Sequence, residues 1–168
     1  MRKRIEVWAD QATQNDLIER FKYAFVQPDD SPYPPILNLN TLDGITELYG
    51  DGGPINFVPF QVKHGNVNAL GFRIGPLVYL PDVSEMSKEA WEEVKKAKCW
   101  ILDALRRNPH PSHSHLENSL EWIKISGIDK AILTNMHVDL DYETLIKETP
   151  KNVEPAFDGM VLDFEFSI

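Results

Sequence analysis

The sequence predicts a single α/β domain: a mixed sheet covered by helices on one side. Three observations carry this. Strand-like runs crowd the first half of the chain, helix and strand alternate in the second, and 168 residues suit one core. The centre of the pattern is the stretch 58–82, VPFQVKHGNVNALGFRIGPLVYLPD. It reads as three strands joined by two short turns, with His64 ending the first strand and Asp82 the third.

Ile5 to Trp8 reads as a short strand and Asp10 to Thr13 as the turn after it. Thr13 followed by Asp16 is a helix-start signal. Leu17, Ile18, Phe21 and Phe25 follow at helical spacing, which predicts a helix of about three turns. The segment QPDDSPYPP is too rich in proline for regular structure, so it is either a plain connector or a substrate-side loop. Ile36 to Asn40 alternates apolar and polar residues like a half-buried strand, and Ile45 to Leu48 reads as another. GDGGP at 50–54 makes a tight turn. The three central strands are predicted at Asn56–Val62, Leu70–Ile74 and Leu77–Leu80, with Gly75-Pro76 as a hairpin turn.

Ser84 to Ala97 is predicted helical, with Ser87 as cap and Ala90, Trp91 and Val94 facing inward. Cys99 to Leu102 is an apolar strand that ends at Asp103. Ser114 and Glu117 read as a capping box for a helix whose inner face is Leu116, Leu120, Trp122 and Ile123. Ala131 to Thr134 is a further strand, followed by Asn135-Met136-His137. Asp141 to Lys147 is a short helix, and Pro155 to Gly159 turns into a final strand around Met160–Phe164. No repeat or low-complexity segment shows.

Net charge is −9, so no general basic field exists to recruit nucleic acid, and the basic start MRKR is too short to be a binding arm. No apolar run is long enough to span a bilayer, and no signal-peptide core follows the basic start. The single cysteine, Cys99, rules out an internal disulfide and fits a reducing, cytoplasmic setting. A strand that begins almost at the first residue is how an internal piece of a larger domain would look.

All five histidines lie after residue 60: His64, His110, His113, His115 and His137. Four of them follow an apolar strand or lie in the loop after one, and Asp82 and Asp103 also terminate strands. Imidazole nitrogen and carboxylate oxygen are natural ligands of zinc, manganese or iron. The plainer reading is a satisfied loop histidine and a helix-capping aspartate. NPHPSHSH at 108–115 is either a weak metal tract or a proline-broken loop, from which a histidine could serve as general acid. Spacing does not rank His110, His113 and His115. No HExxH, cysteine pair, GxSxG or phosphate-cradling loop is present.

Four blocks carry a resemblance: VKHGNVNALGFRIGPLVYLPDVSEM, WILDALRRNPHPSHSHLENSLEW, AILTNMHVDLDYETL and VEPAFDGMVL. Together they resemble the C-terminal part of metallo-β-lactamase-fold hydrolases, in the branch of the PhnP-like cyclic phosphodiesterases. The more distant tRNA 3′-processing nucleases share a similar arrangement. The resemblance implies an αββα sandwich and a divalent-metal site, zinc or manganese, with two ions expected. It implies hydrolysis of a small phosphodiester by a metal-activated water. It makes His64 a ligand of the first metal, Asp82 the bridging carboxylate, and His113 the group that protonates the leaving oxygen or holds phosphate. Asp103, His110 and His115 become residues supporting the ligands. Asn135 stands where the family has a histidine ligand of the second metal, and His137, two residues on, is expected to take that role.

The family's His-x-His-x-Asp-His motif does not occur in this sequence. The chain is therefore expected to be one partial, N-terminally truncated domain over 1–168. Its sheet edge and core face would be exposed, favouring self-association or pairing with a complementing N-terminal fragment. Activity is expected to be impaired in isolation. The alternatives are an inactive remnant or binding protein of the same fold and, third, a nuclease of the tRNA-processing type.

Overall fold

A computed structural model describes residues 3–164. The chain forms two compact units, one up to Thr46 and one from Glu47. In the first, strand β1 (Ile5–Ala9), helix α1 (Gln11–Phe25) and strand β2 (Leu37–Thr41) form a β-α-β unit. β1 and β2 pair in parallel from Ile5↔Leu37 to Ala9↔Thr41. The helix starts earlier than predicted, because Asp10 is its cap: its carboxylate accepts from the Thr13 N–H at 2.8 Å. The Gln14 amide donates to Ala9 O and Thr41 Oγ1 and fastens the helix to the ends of both strands.

The second unit is built on a seven-stranded sheet in the order β3-β4-β5-β6-β7-β8-β9. Its strands are β3 (Thr46–Gly50), β4 (Gly53–His64), β5 (Val67–Ile74), β6 (Leu77–Leu80), β7 (Cys99–Asp103), β8 (Lys130–Thr134) and β9 (Val153–Pro155). β4–β5 and β5–β6 are antiparallel, while β6–β7, β7–β8 and β8–β9 are parallel. The sheet is mixed, as predicted. The direction of β4 repeats that of β6, so β4, β6, β7 and β8 all end at one edge of the sheet. In open α/β sheets, sites form outside the carboxyl ends of the strands.

Alternation along the strands places Phe60, Val62, Val78, Leu80, Trp100, Leu102, Ala131 and Leu133 in one buried cluster. The same cluster takes in Ala90 and Val94 of α2 (Lys88–Val94), Leu116 and Ile123 of α3 (Leu116–Ser126), and Leu145 of α4 (Tyr142–Glu148). Helices thus cover that face. Burying one such large apolar side chain is worth about 1.5–3 kcal/mol. Gly71 is required there, since a Cβ at that position would lie 2.4 Å from the Phe60 ring.

Three element predictions are corrected. No strand forms over Met160–Phe164; the last strand among the described residues is β9, which pairs Val153 with Ala131 and Pro155 with Leu133. Proline is tolerated at this sheet edge because a neighbour on one side suffices. α2 is shorter than 84–97, starting after Ser87, whose hydroxyl accepts from the Ala90 N–H. Ser114 is not the cap of α3; that position is His115, with no side-chain cap bond, and the Ser114 hydroxyl pairs with Ser119 Oγ.

Candidate metal centre

His64, Asp82 and His113 each offer a ligand atom, and these atoms lie within 4.8 Å of one another. The backbone explains the convergence. His64 closes β4, and the preceding Lys63 exchanges backbone bonds with the segment after β6: Ser84 N–H donates to Lys63 O at 2.7 Å and Lys63 N–H to Glu85 O at 3.1 Å. The Ser84 hydroxyl also accepts from the Gly65 N–H at 2.9 Å. These bonds hold Asp82, two residues past the end of β6, beside His64.

His113 arrives on the loop between β7 and α3. That loop is closed by Leu105 N–H to Ser114 O and Leu116 N–H to Arg106 O, both 2.9 Å. The Arg106 guanidinium donates to Asn108 O and Pro109 O inside it. The turn after β4 must pass close to this loop. Gly65 has φ +62, and a Cβ there would fall 2.9 Å from Ser112 Cβ, so glycine admits both the backbone conformation and the approach.

Asp103, fully buried at the end of β7, orients His113. Its Oδ2 accepts backbone N–H groups from Val83 and Ser114, each at 3.3 Å, and lies 2.8 Å from His113 Nδ1. An oxygen already accepting from two amides makes His113 Nδ1 the donor, which leaves the lone pair on Nε2. Burial pushes the Asp103 carboxyl up to about 6, opposed by the His113 bond and those two N–H groups.

The His64 and His113 rings meet edge to face, 4.5 Å between centroids. His113 Nδ1 is 3.8 Å from Asp82 Oδ1. His64 Nδ1 is buried and has no hydrogen-bond partner among the described residues. A buried polar nitrogen without a partner is costly, and a cation would take up its lone pair. Two imidazoles and a carboxylate suit zinc or manganese, and three protein ligands with a position open to water is the catalytic rather than the structural pattern. The residues present therefore fit one ion.

The remaining candidates are placed as follows. His110 stacks obliquely on His113 at 5.3 Å and takes bonds on Nδ1 from Ser112. Desolvation, then the Arg106 charge and the neighbouring histidines, hold its pKa below the ordinary value. His115 occupies the start of α3. Asn135 follows β8 and donates its amide to Pro81 O at 2.7 Å, with Asp82 Oδ1 at 3.5 Å. His137 lies outside the cluster: its side chain is 60% exposed and its Nδ1 is 3.3 Å from Asp139 Oδ1. Ser84 and Gly65, which set the cluster's geometry, were not singled out from the sequence, because a serine after a strand and a glycine in a turn carry no local signature of a site.

The sheet brings two imidazoles and a carboxylate together beyond its strand ends, a group that could hold a metal ion. The profile described as "Beta-lactamase superfamily domain" matches residues 1–138, and the chain belongs to that superfamily. It is similar to a diphosphatase from the PhnP family, with TM-score 0.83 and 29% identity over 98% of this chain and 60% of that one. It shares its fold with Zn(2+)-bound PqqB from Methylobacterium extorquens, with TM-score 0.72 and 12% identity over 96% of this chain and 66% of that one. It is also 25% identical, over 161 residues, to an octanoyltransferase of Porphyromonas gingivalis. That match takes in 94% of this chain but 32% of the relative, so the chain spans about a third of that protein and 60% of the PhnP-family one. Among the described residues, no helix is long and apolar enough to cross a membrane.

Proposed function

We propose that this chain is the metal-binding part of a hydrolase that cleaves small phosphodiesters. The observation that carries the reading is the convergence of His64, Asp82 and His113, their ligand atoms within 4.8 Å, with His64 Nδ1 otherwise unpartnered. The similarity to the PhnP-family diphosphatase supports the phosphoester class of substrate.

A divalent ion bound there supplies a water of lowered pKa and neutralises charge on phosphoryl oxygen. The protein's own groups do the rest. His64 and Asp82 would hold the ion, from the end of β4 and the segment after β6, which Lys63 and Ser84 lock together. Asp103 fixes the His113 ring through Nδ1 and leaves Nε2 free to complete the ligand set or, once protonated, to hand a proton to the leaving oxygen. Desolvation and the Arg106 charge hold the neighbouring His110 below the ordinary histidine value. The partner implied is a small phosphodiester, and the His-x-His-x-Asp-His ligands of the family do not occur in this sequence. The single buried cysteine suits a reducing, cytoplasmic setting.

A second reading is a metal-binding domain without turnover, because the described residues gather three ligand groups and no more, His64, Asp82 and His113. Hydrolysis of bis(p-nitrophenyl) phosphate in manganese or zinc separates the two. Turnover that disappears in Asp82→Ala supports the hydrolase. No turnover by the chain with either metal, despite bound ion, leaves the binding domain.

A further inference from the structure

We infer that this chain holds one divalent ion rather than two, and that Asn135 sets the number by turning an amide donor toward Asp82. The inference rests on the metal-centre reading above and extends it to the side of the cluster formed by β8.

Asn135 is the only non-glycine residue with positive φ among the described residues, at +62. Asparagine tolerates this left-handed conformation better than most side chains. The turn carries its amide back to Pro81 O at 2.7 Å. A carbonyl oxygen only accepts, so the group facing it is the NH2, and the amide orientation is determined by its partner. The same NH2 lies 3.5 Å from Asp82 Oδ1. An amide nitrogen with two hydrogens is a donor and has no lone pair to offer a cation. On this side Asp82 therefore faces a hydrogen-bond donor that offers nothing to a second ion.

No other residue of the segment replaces it. Thr134 and Met136 offer no imidazole or carboxylate. His137, the one imidazole nearby, has its backbone N–H on Leu105 O at 2.7 Å and its ring beside Asp139. It does not join the cluster. Asp82 is then a terminal ligand of a single ion, and among the described residues of this chain a second cation would find no further imidazole or carboxylate beside it.

The test is metal stoichiometry on the purified full chain, freed of metal and then equilibrated with Mn2+ or Zn2+ and analysed for bound ion. Co2+ absorption gives an independent readout of ligand number. The wild type is expected to saturate at one equivalent. Asn135→His and Asn135→Asp, both residues that accept left-handed backbone, are expected to gain a second equivalent. Two equivalents in the wild type overturn the inference, and so does failure of both folded variants to exceed one. No bound metal in the wild type overturns the metal centre itself, and with it the proposed hydrolase.

Discussion

At opposite ends of β5 lie two clusters of titratable side chains, and they differ in whether their hydrogen-bonding capacity is used up. Near Ile74, the buried Glu93 has both oxygens occupied: Arg73 Nε lies 2.6 Å from one and Lys96 Nζ 2.5 Å from the other. Arg73 spends a further N–H on Gly75 O. Burial pushes the Glu93 carboxyl up, and the bonds from Lys96 and Arg73 outweigh it and hold the carboxyl below its usual range. Near Val67, in and beside the His64–Asp82–His113 cluster, His64 Nδ1 and Asp103 Oδ1 are buried without partners among the described residues. Both clusters collect charge, yet the first is closed and holds the fold together, whereas the second is open and has room for a ligand. Open valence, more than the presence of acids and imidazoles, distinguishes a site from a structural ion pair.

The largest effect expected is at the open cluster. Asp82→Ala should weaken zinc affinity by at least about 100-fold, read by competition with a chromophoric chelator, while the melting temperature of the metal-free chain stays close to wild type. A metal-free chain that unfolds would mean that Asp82 is structural and would erase the contrast. Asp103→Asn should come next, lowering zinc affinity about 10–100-fold by releasing the His113 ring. An affinity equal to wild type would mean that the Asp103–His113 bond does not orient a ligand.

At the closed cluster, Arg73→Met should cost about 2 kcal/mol in urea unfolding, discounted because the Arg73 side chain is 22% exposed, and should leave zinc affinity unchanged. The pH dependence follows from the lowered Glu93 pKa. Its stabilisation is complete above its ordinary value of 4.5 and is lost as pH falls through the lowered native value, because the unfolded chain takes up the proton first. Wild type should therefore lose stability faster than Arg73→Met on acidification from pH 5 to pH 3, to about the size of that linkage. Parallel curves would show that Arg73 does not hold the Glu93 pKa down. The smallest effect is Lys96→Ala, within about 0.5 kcal/mol, since that ammonium is 54% exposed.

Much of this was legible in the sequence where the signal is local. The three-strand stretch 58–82 was read correctly because alternation and the Gly75-Pro76 turn act over a few residues. Ser87 was recognised as a cap for the same reason. The family emerged from motif text, and the profile match bears it out. What local pattern could not carry is pairing at a distance. β9 has three residues, too few for a period, and exists because β8 offers Ala131 and Leu133 as partners. The apolar residues 160–164 looked more strand-like and pair with nothing in the described structure. Among the three loop histidines, His113 stood apart only through resemblance. Its contact with Asp103, ten residues away across a proline-broken loop, is a tertiary fact. Likewise, Asn135 read as a lost ligand, and its bond to Pro81, 54 residues earlier, gives it a role that spacing could not show.

The most direct test of the open cluster is to follow the histidine ring nitrogens by NMR while zinc is titrated into the uniformly 15N-labelled chain. The account predicts that the His64 and His113 rings shift together and saturate with the ion, while His137 does not move. A shift at His137, or none at His64, would contradict it.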